Sequence, residues 1–165
     1  MFRFIKQIIL IGFVFLLGYI FGLKQVRFYR ITSSSMEPAL QLNDRVATVK
    51  LDRILRGMIV VLLDPKGSND ILTKRVIGLP GEKFEVRQGA VYINNEKLDE
   101  PYIAEPARYD FARIKIPDNA YMLLGDNRNN SEDSSIWGPV EKQLILGRVF
   151  CRYWPIKKLG FFLQP

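Results

Sequence analysis

The sequence contains no histidine, and that absence removes whole classes of chemistry. Ser-His-Asp and Cys-His arrangements are excluded, so any serine hydrolysis must recruit a lysine, a carboxylate or an N-terminal amine as its base. With no histidine and Cys151 as the single cysteine, neither a metal nor a cofactor is expected. The lone thiol also rules out an internal disulfide and leaves the redox compartment open. The chain lacks a basic run, a base-reading motif, an internal repeat and any low-complexity tract. Its net charge is +7, of which Arg3, Lys6 and Lys24, flanking the first apolar stretch, account for three. A surplus this small fits a surface near anionic lipid headgroups, and no nucleic-acid partner is expected.

What the sequence does have is one long apolar run, from Ile8 to Leu23. As a helix it would span roughly 24 Å, slightly short of a hydrocarbon core of roughly 30 Å. Lys6 and Lys24 bracket it and can snorkel to the headgroups, extending its reach. No small-x-small cleavage site follows, since the exit reads Gly22-Leu23-Lys24-Gln25-Val26, so an uncleaved anchor is favoured over a removed leader. A run apolar on all sides also argues against a core helix. Residues 1–24 are therefore expected to form a transmembrane anchor and residues 25–165 a separate domain. Orientation does not follow from charge: Lys24, Arg27 and Arg30 after the run match Arg3 and Lys6 before it.

Beyond Gln25 the helical period gives way to short β-rich runs: Arg45–Leu51, Met58–Leu63, Ile71–Ile77, Lys83–Val86, Ala90–Ile93, Ala120–Leu124 and Leu144–Tyr153. Gln88-Gly89 and Asn94-Asn95 have the chemistry of tight hairpin turns. The expected fold is mostly β, an antiparallel sheet domain behind one N-terminal transmembrane helix. Pro65–Asp70 and Pro101–Asp110 read as polar connections.

Three polar clusters interrupt this pattern: Thr32 to Pro38, Lys74 to Glu82, and Gly125 to Ser135. Each alone is accounted for as a loop, a solvated strand end or a polar turn. Together, as Ser33-x-Ser35-Met36-x-Pro38, Asn43-Asp44-Arg45-Val46, Lys74-Arg75-Val76-Ile77-Gly78-x-Pro80-Gly81 and Gly125-Asp126-Asn127-Arg128-x-x-Ser131-x-Asp133-Ser134, they resemble the type I signal peptidases. The resemblance extends from the apolar segment to Arg152-Tyr153-Trp154-Pro155. It implies a membrane-bound serine endopeptidase that removes signal peptides from exported preproteins after small residues, typically Ala-x-Ala.

By that resemblance Ser35 is the nucleophile, Lys74 its general base, and the Ser35 N–H with the Ser33 hydroxyl the oxyanion hole. Ser131 orients the lysine, while Arg75, Asp126, Arg128 and Asp133 are structural. Tyr29, Ile31, Met36 and Leu40 match substrate-pocket positions, with Leu72 and Thr73 matching less closely. The chemistry makes its own demand: an amine with an ordinary pKa near 10.4 is protonated at neutral pH, so burial must lower it. Leu72, Val76 and Ile77 are candidate neighbours for that task. The sequence departs from the family pattern at Ser135, where an arginine commonly partners the motif aspartate, and at Asn43, Ala39 and Glu82. Partners implied are signal peptides and the lipid bilayer. The implied location is the plasma or inner membrane, catalytic domain outside the cytoplasm, with a thylakoid membrane as the other address.

Two other readings remain at this stage. A self-cleaving repressor would share Ser-Lys chemistry but would carry a DNA-binding module where this chain has its apolar run. A membrane-anchored β-domain that binds exported peptides without cutting them would need neither the serine nor the lysine.

Overall fold

The computed structural model describes residues 2–23 and 26–162. Helix α1 (Phe2–Leu23) leads the chain, and its described side chains, Lys6 to Tyr19, are all exposed, Ile8, Phe13, Phe15 and Leu16 among them. Among the described residues no helix is long and apolar enough to cross a membrane. Lys24 and the expected boundary at 24–25 lie outside the described residues.

The rest is antiparallel β-structure, as the alternating runs lead one to expect. Its strands are β1 (Val26–Arg30), β2 (Arg45–Val49), β3 (Ile59–Leu63), β4 (Ile71–Gly78), β5 (Lys83–Arg87), β6 (Ala90–Ile93) and β7 (Glu96–Lys97). They continue with β8 (Phe111–Lys115), β9 (Ala120–Leu124), β10 (Val140–Glu141), β11 (Ile145–Trp154) and β12 (Gly160–Phe161), with a one-turn helix α2 (Ser134–Trp137) between β9 and β10. The larger sheet has the order β1-β2-β11-β3-β4-β9-β10, with β12 added to β11; the smaller has the order β7-β6-β5-β8. Gln88-Gly89 joins β5 to β6 and Asn94-Asn95 joins β6 to β7, all four residues having positive φ. Two successive left-handed residues match the right-handed twist of the strands they connect.

Alternation along the central strands divides the interior. Val60 and Leu62 of β3 join Leu123 of β9 in one core, while Ile59 and Val61 join Ile31, Met36, Leu40 and Val46 in another. On β9, Met122 and Leu124 face a third core with Phe84, Val86, Val91 and Ile93 of the smaller sheet. The larger sheet is thus covered on both faces near its middle, which is why Ala120–Leu124 is buried throughout and reads as a continuous apolar run.

Strands β1 and β8 escape the sequence reading for a physical reason. Each is a sheet edge, each mixes apolar residues with arginine or lysine without strict alternation, and neither has a fully buried residue. An edge strand half in solvent carries little of the apolar signal on which such readings rest.

Candidate active site

The segment after β1 turns through Ser33, Ser34 and Ser35 and is pinned by its apolar residues. Ile31, Met36 and Leu40 are buried in the core beneath it, and Leu40 N–H donates to the Met36 carbonyl at 2.9 Å. That anchor holds Ser35 at 5% exposure, with Ser35 Oγ 3.1 Å from Ser33 Oγ. The loop after β9 grips the same turn. Asn127 N–H donates to the Ser35 carbonyl (3.0 Å), Asn127 Nδ2 to the Ser34 carbonyl (3.3 Å), and Asn130 Nδ2 to Ser34 Oγ (3.1 Å).

Lys74 sits on β4 with 3% exposure, and its Nζ donates to Ser131 Oγ at 3.1 Å. Burial lowers the amine from 10.5 to about 8, against the opposing pull of the Asp133 and Glu132 carboxylates. Strand alternation puts Leu72 and Val76 on the same face as Lys74, and both belong to the core beside it. Ile77, the third expected neighbour, packs instead in the core shared with the smaller sheet. Ser33, Ser34, Ser35, Lys74, Ser131 and Trp137 line one cavity of about 470 Å³. Ser35 Oγ bonds Ser33 and Lys74 Nζ bonds Ser131, and among the described contacts no hydrogen bond joins the two directly. Such a bond is commonly long in a free site and tightens on substrate.

Gly125 separates these two clusters at close range. A Cβ built there would lie 2.3 Å from Ser131 Oγ and 2.5 Å from the Ser35 carbonyl oxygen, so only glycine fits. Its N–H donates to Asp133 Oδ2 (2.9 Å), and Asp133 Oδ1 accepts from Ser135 N–H (2.9 Å) as the cap of α2. Two main-chain donors thus satisfy the fully buried carboxylate whose customary arginine is replaced by Ser135. A second departure is equally well accommodated. Asn43 adopts φ 71, a left-handed conformation in which asparagine is tolerated, and its Oδ1 accepts from Arg30 Nη2 at 2.6 Å.

Arg75 forms a bidentate pair with Asp126, Nε to Oδ1 at 2.7 Å and Nη2 to Oδ2 at 2.6 Å. Arg128 is fully buried and donates through Nη1 (2.9 Å) and Nη2 (2.5 Å) to the Glu100 carboxylate, and through Nε (3.1 Å) to the Gly125 carbonyl. Tyr102 donates to Glu100 at 2.8 Å and lies 4.2 Å beneath the Arg75 guanidinium. Glu100 and Tyr102 were not singled out by sequence reasoning. Glu100 precedes and Tyr102 lies within a segment read as a polar connection, and the usable signal was the need of a buried Arg128 for a carboxylate. Among the described residues, no group of three or more cysteine or acidic side chains converges as a metal site would.

A groove of about 570 Å³ extends from the serine turn along β4, lined by Tyr29, Ile31, Met36, Leu72 and Thr73. Ser33, Asp70 and Leu72 border both this groove and the Ser35 cavity, making them continuous. Leu40 does not line the groove; it is fully buried in the core below Met36. β4 pairs with β9 only at Arg75, Val76 and Gly78, so its edge from Ile71 to Lys74 is unpaired on the groove side.

Comparison with known proteins agrees with this architecture. Residues 1–154 match the family described as signal peptidase, peptidase S26. A probable signal peptidase I-2 of Synechocystis sp. is 49% identical over 139 residues, covering 79% of this chain but 64% of that protein, so the chain spans less than two thirds of its length. Signal peptidase IB of Staphylococcus aureus is 33% identical, with 98% of this chain and 95% of that protein covered. The crystal structure of a signal peptidase I from Enterococcus faecalis superposes with a TM-score of 0.55 at 31% identity, over 60% of this chain and 98% of that one. By sequence and by fold, then, the chain belongs to the signal peptidase family, peptidase S26, a family of serine endopeptidases.

Proposed function

We propose that this chain is a type I signal peptidase that cuts signal peptides from exported preproteins after small residues, with Ser35 as nucleophile and Lys74 as general base. The observation that carries the reading is a buried amine lowered to about 8, bonded to Ser131 and sharing one cavity with Ser35. Neutral Lys74 takes the Ser35 proton as Oγ bonds to the scissile carbonyl carbon. The Ser33 hydroxyl and Ser35 N–H stabilise the resulting oxyanion. Collapse breaks the C–N bond, the Lys74 ammonium returns its proton to the leaving amine, and an acyl-enzyme remains. Lys74 then deprotonates the water that releases the signal peptide.

An extended peptide laid in the groove would add a strand to the free edge of β4 at Ile71–Lys74. Met36, Leu72 and Ile31 offer apolar walls, and side chains no larger than alanine suit a groove this close to the nucleophile. Residues 1–24 are read as the tether. An apolar helix whose described side chains are exposed supports it, as do the exposed apolar residues Phe28, Trp154, Ile156, Leu159 and Phe161, three of them near Lys157 and Lys158 in sequence. Apolar residues interleaved with cations fit the lipid interface. The catalytic domain would then work outside the cytoplasm, at the surface where its substrates emerge.

Incubation with a preprotein whose leader ends in Ala-x-Ala tests the proposal: cleavage after the second alanine is expected, and stable binding without product would favour a peptide-binding module instead. The rate should also rise with pH as Lys74 loses its proton, with kcat/KM climbing about tenfold per pH unit below a midpoint near 8. A profile flat from pH 6 to 9 would remove the lysine base. Ser131→Ala, which deletes the hydrogen bond aiming Nζ, should lower kcat by about tenfold, on the order of 1.4 kcal/mol. Wild-type kcat in that variant would deny Ser131 its role.

A further inference from the structure

Four charged side chains are buried near the site without lining the groove or the Ser35 cavity. Side-chain exposure is 11% for Arg75, 0% for Asp126, 0% for Arg128 and 5% for Glu100. Burying two ion pairs is costly, and well-packed apolar residues would serve stability as well or better, so their presence calls for a reason in geometry. The four come from three separate segments: Arg75 from β4, Asp126 and Arg128 from the loop after β9, and Glu100 from the connection leaving β7. Tyr102 touches both pairs, its ring under the Arg75 guanidinium and its hydroxyl donating to Glu100 Oε1.

The effect of this network falls on Gly125. Arg128, fixed in its plane by the Glu100 fork, directs Nε at the Gly125 carbonyl, while Asp133 holds the Gly125 N–H from the other side. The peptide so clamped packs directly on Ser131 Oγ and on the Ser35 carbonyl, with no room for a methyl group between. A shift of Gly125 by a few tenths of an ångström would therefore be passed to both the nucleophile turn and the lysine-aiming serine.

We infer that Glu100 and Tyr102 are positioning residues of the hydrolytic site: through Arg128 they hold the Gly125 peptide against Ser35 and Ser131, and so set the approach of the nucleophile to its base. This rests on the reading of the chain as a Ser35–Lys74 peptidase. The connection after β7 thereby becomes a working part of the active site, although it touches neither the groove nor the dyad. Glu100 supplies the charge and the fork geometry, and Tyr102 keeps its carboxylate in register with the Arg75–Asp126 pair.

The test uses the full chain in detergent micelles with a preprotein substrate whose leader ends in Ala-x-Ala, and reads kcat, KM and melting temperature together. Glu100→Gln should lower kcat by at least about tenfold with KM within about threefold, because the groove is untouched. Tyr102→Phe keeps the ring and loses only the hydroxyl, and should give a smaller loss of about threefold. The double variant Glu100→Met/Arg128→Met removes both buried charges, so its melting temperature should return toward wild type while kcat stays low, the contact with the Gly125 carbonyl still being absent. Recovery of kcat together with melting temperature would reduce the network to a stabilising role and overturn the inference. Wild-type kcat in Glu100→Gln would overturn it as well, and that single variant decides if the double does not fold. Absence of cleavage by the unaltered chain would instead bring down the proposed function on which the inference stands.

Discussion

Lys74→Met and Lys74→Arg will each reduce cleavage by at least about 10³-fold while leaving the fold intact. Methionine fills the same volume without an acceptor for the Ser35 proton. Arginine keeps a cation in place, and a guanidinium cannot give up its proton near neutral pH. On the proposed mechanism Ser35→Ala should match them, since nucleophile and base would act as one unit and losing either would stop the same step. The two lysine variants separate in stability. The Lys74 amine is lowered from 10.5 to about 8 by burial, so the unfolded chain binds this proton more tightly than the folded one. The sign follows from linkage: no penalty above pH 10.5, a penalty growing as pH falls between 10.5 and 8, and a constant one below about 8. At neutral pH it is on the order of 3 kcal/mol. Lys74→Met should therefore melt higher than wild type at pH 7, and the difference should shrink by pH 10.5. Lys74→Arg, which buries a permanent charge, should melt lower. Calorimetry across that range checks both, and equal melting of Lys74→Met and wild type at pH 7 would mean that burial does not penalise the charged amine.

Gly125→Ala is the second large effect. The added methyl carbon would sit 2.3 Å from Ser131 Oγ and 2.5 Å from the Ser35 carbonyl oxygen, distances at which something must move. Ser131 has a short side chain held by the Lys74 amine and the Ser35 carbonyl belongs to a turn pinned by Asn127 and Asn130, so neither yields easily. Overpacking of this kind costs about 1–3 kcal/mol in stability. The larger consequence is kinetic, because misplacing reacting groups by about 1 Å can cost about 10²-fold in rate. The expected result is a folded protein whose kcat falls by about 10²-fold with KM little changed. An alanine variant with more than half the wild-type kcat would show that the two serines tolerate displacement, contrary to the packing described above.

Much of the site could be read directly from sequence because its chemistry is concentrated in short segments. The absence of histidine left a lysine, a carboxylate or an N-terminal amine as base, the resemblance singled out Lys74, and the ordered clusters at Ser33, Lys74 and Gly125 contain most of the residues that line the Ser35 cavity. Arg75 and Asp126, both named as structural by the resemblance, form a bidentate pair. The central strands were legible because alternation along β3 and the continuous apolar run of β9 follow from burial on both faces.

What stayed hidden depended on contacts distant in sequence. Glu100 lies 28 residues before Arg128, and nothing local distinguishes it from Asp99 or Glu105. The partner of Asp133 could not be named because main-chain N–H groups, which every residue carries, replace the missing side chain. Leu40 was assigned to the groove from a motif position, whereas its place, four residues beyond Met36 in a tight turn, sends it into the core. Strands β1 and β8 were missed because edge strands display their polar faces.

The claim at the centre of this account is that the Lys74 amine is deprotonated at a pH where ordinary lysines are not. The direct measurement is an NMR titration of Lys74 in the folded Ser35→Ala variant, with lysine labelled at Cε and the signal assigned by its loss in Lys74→Met. A midpoint near 8 is the predicted result; a midpoint at or above 10, with the chain folded and unmodified, would contradict it.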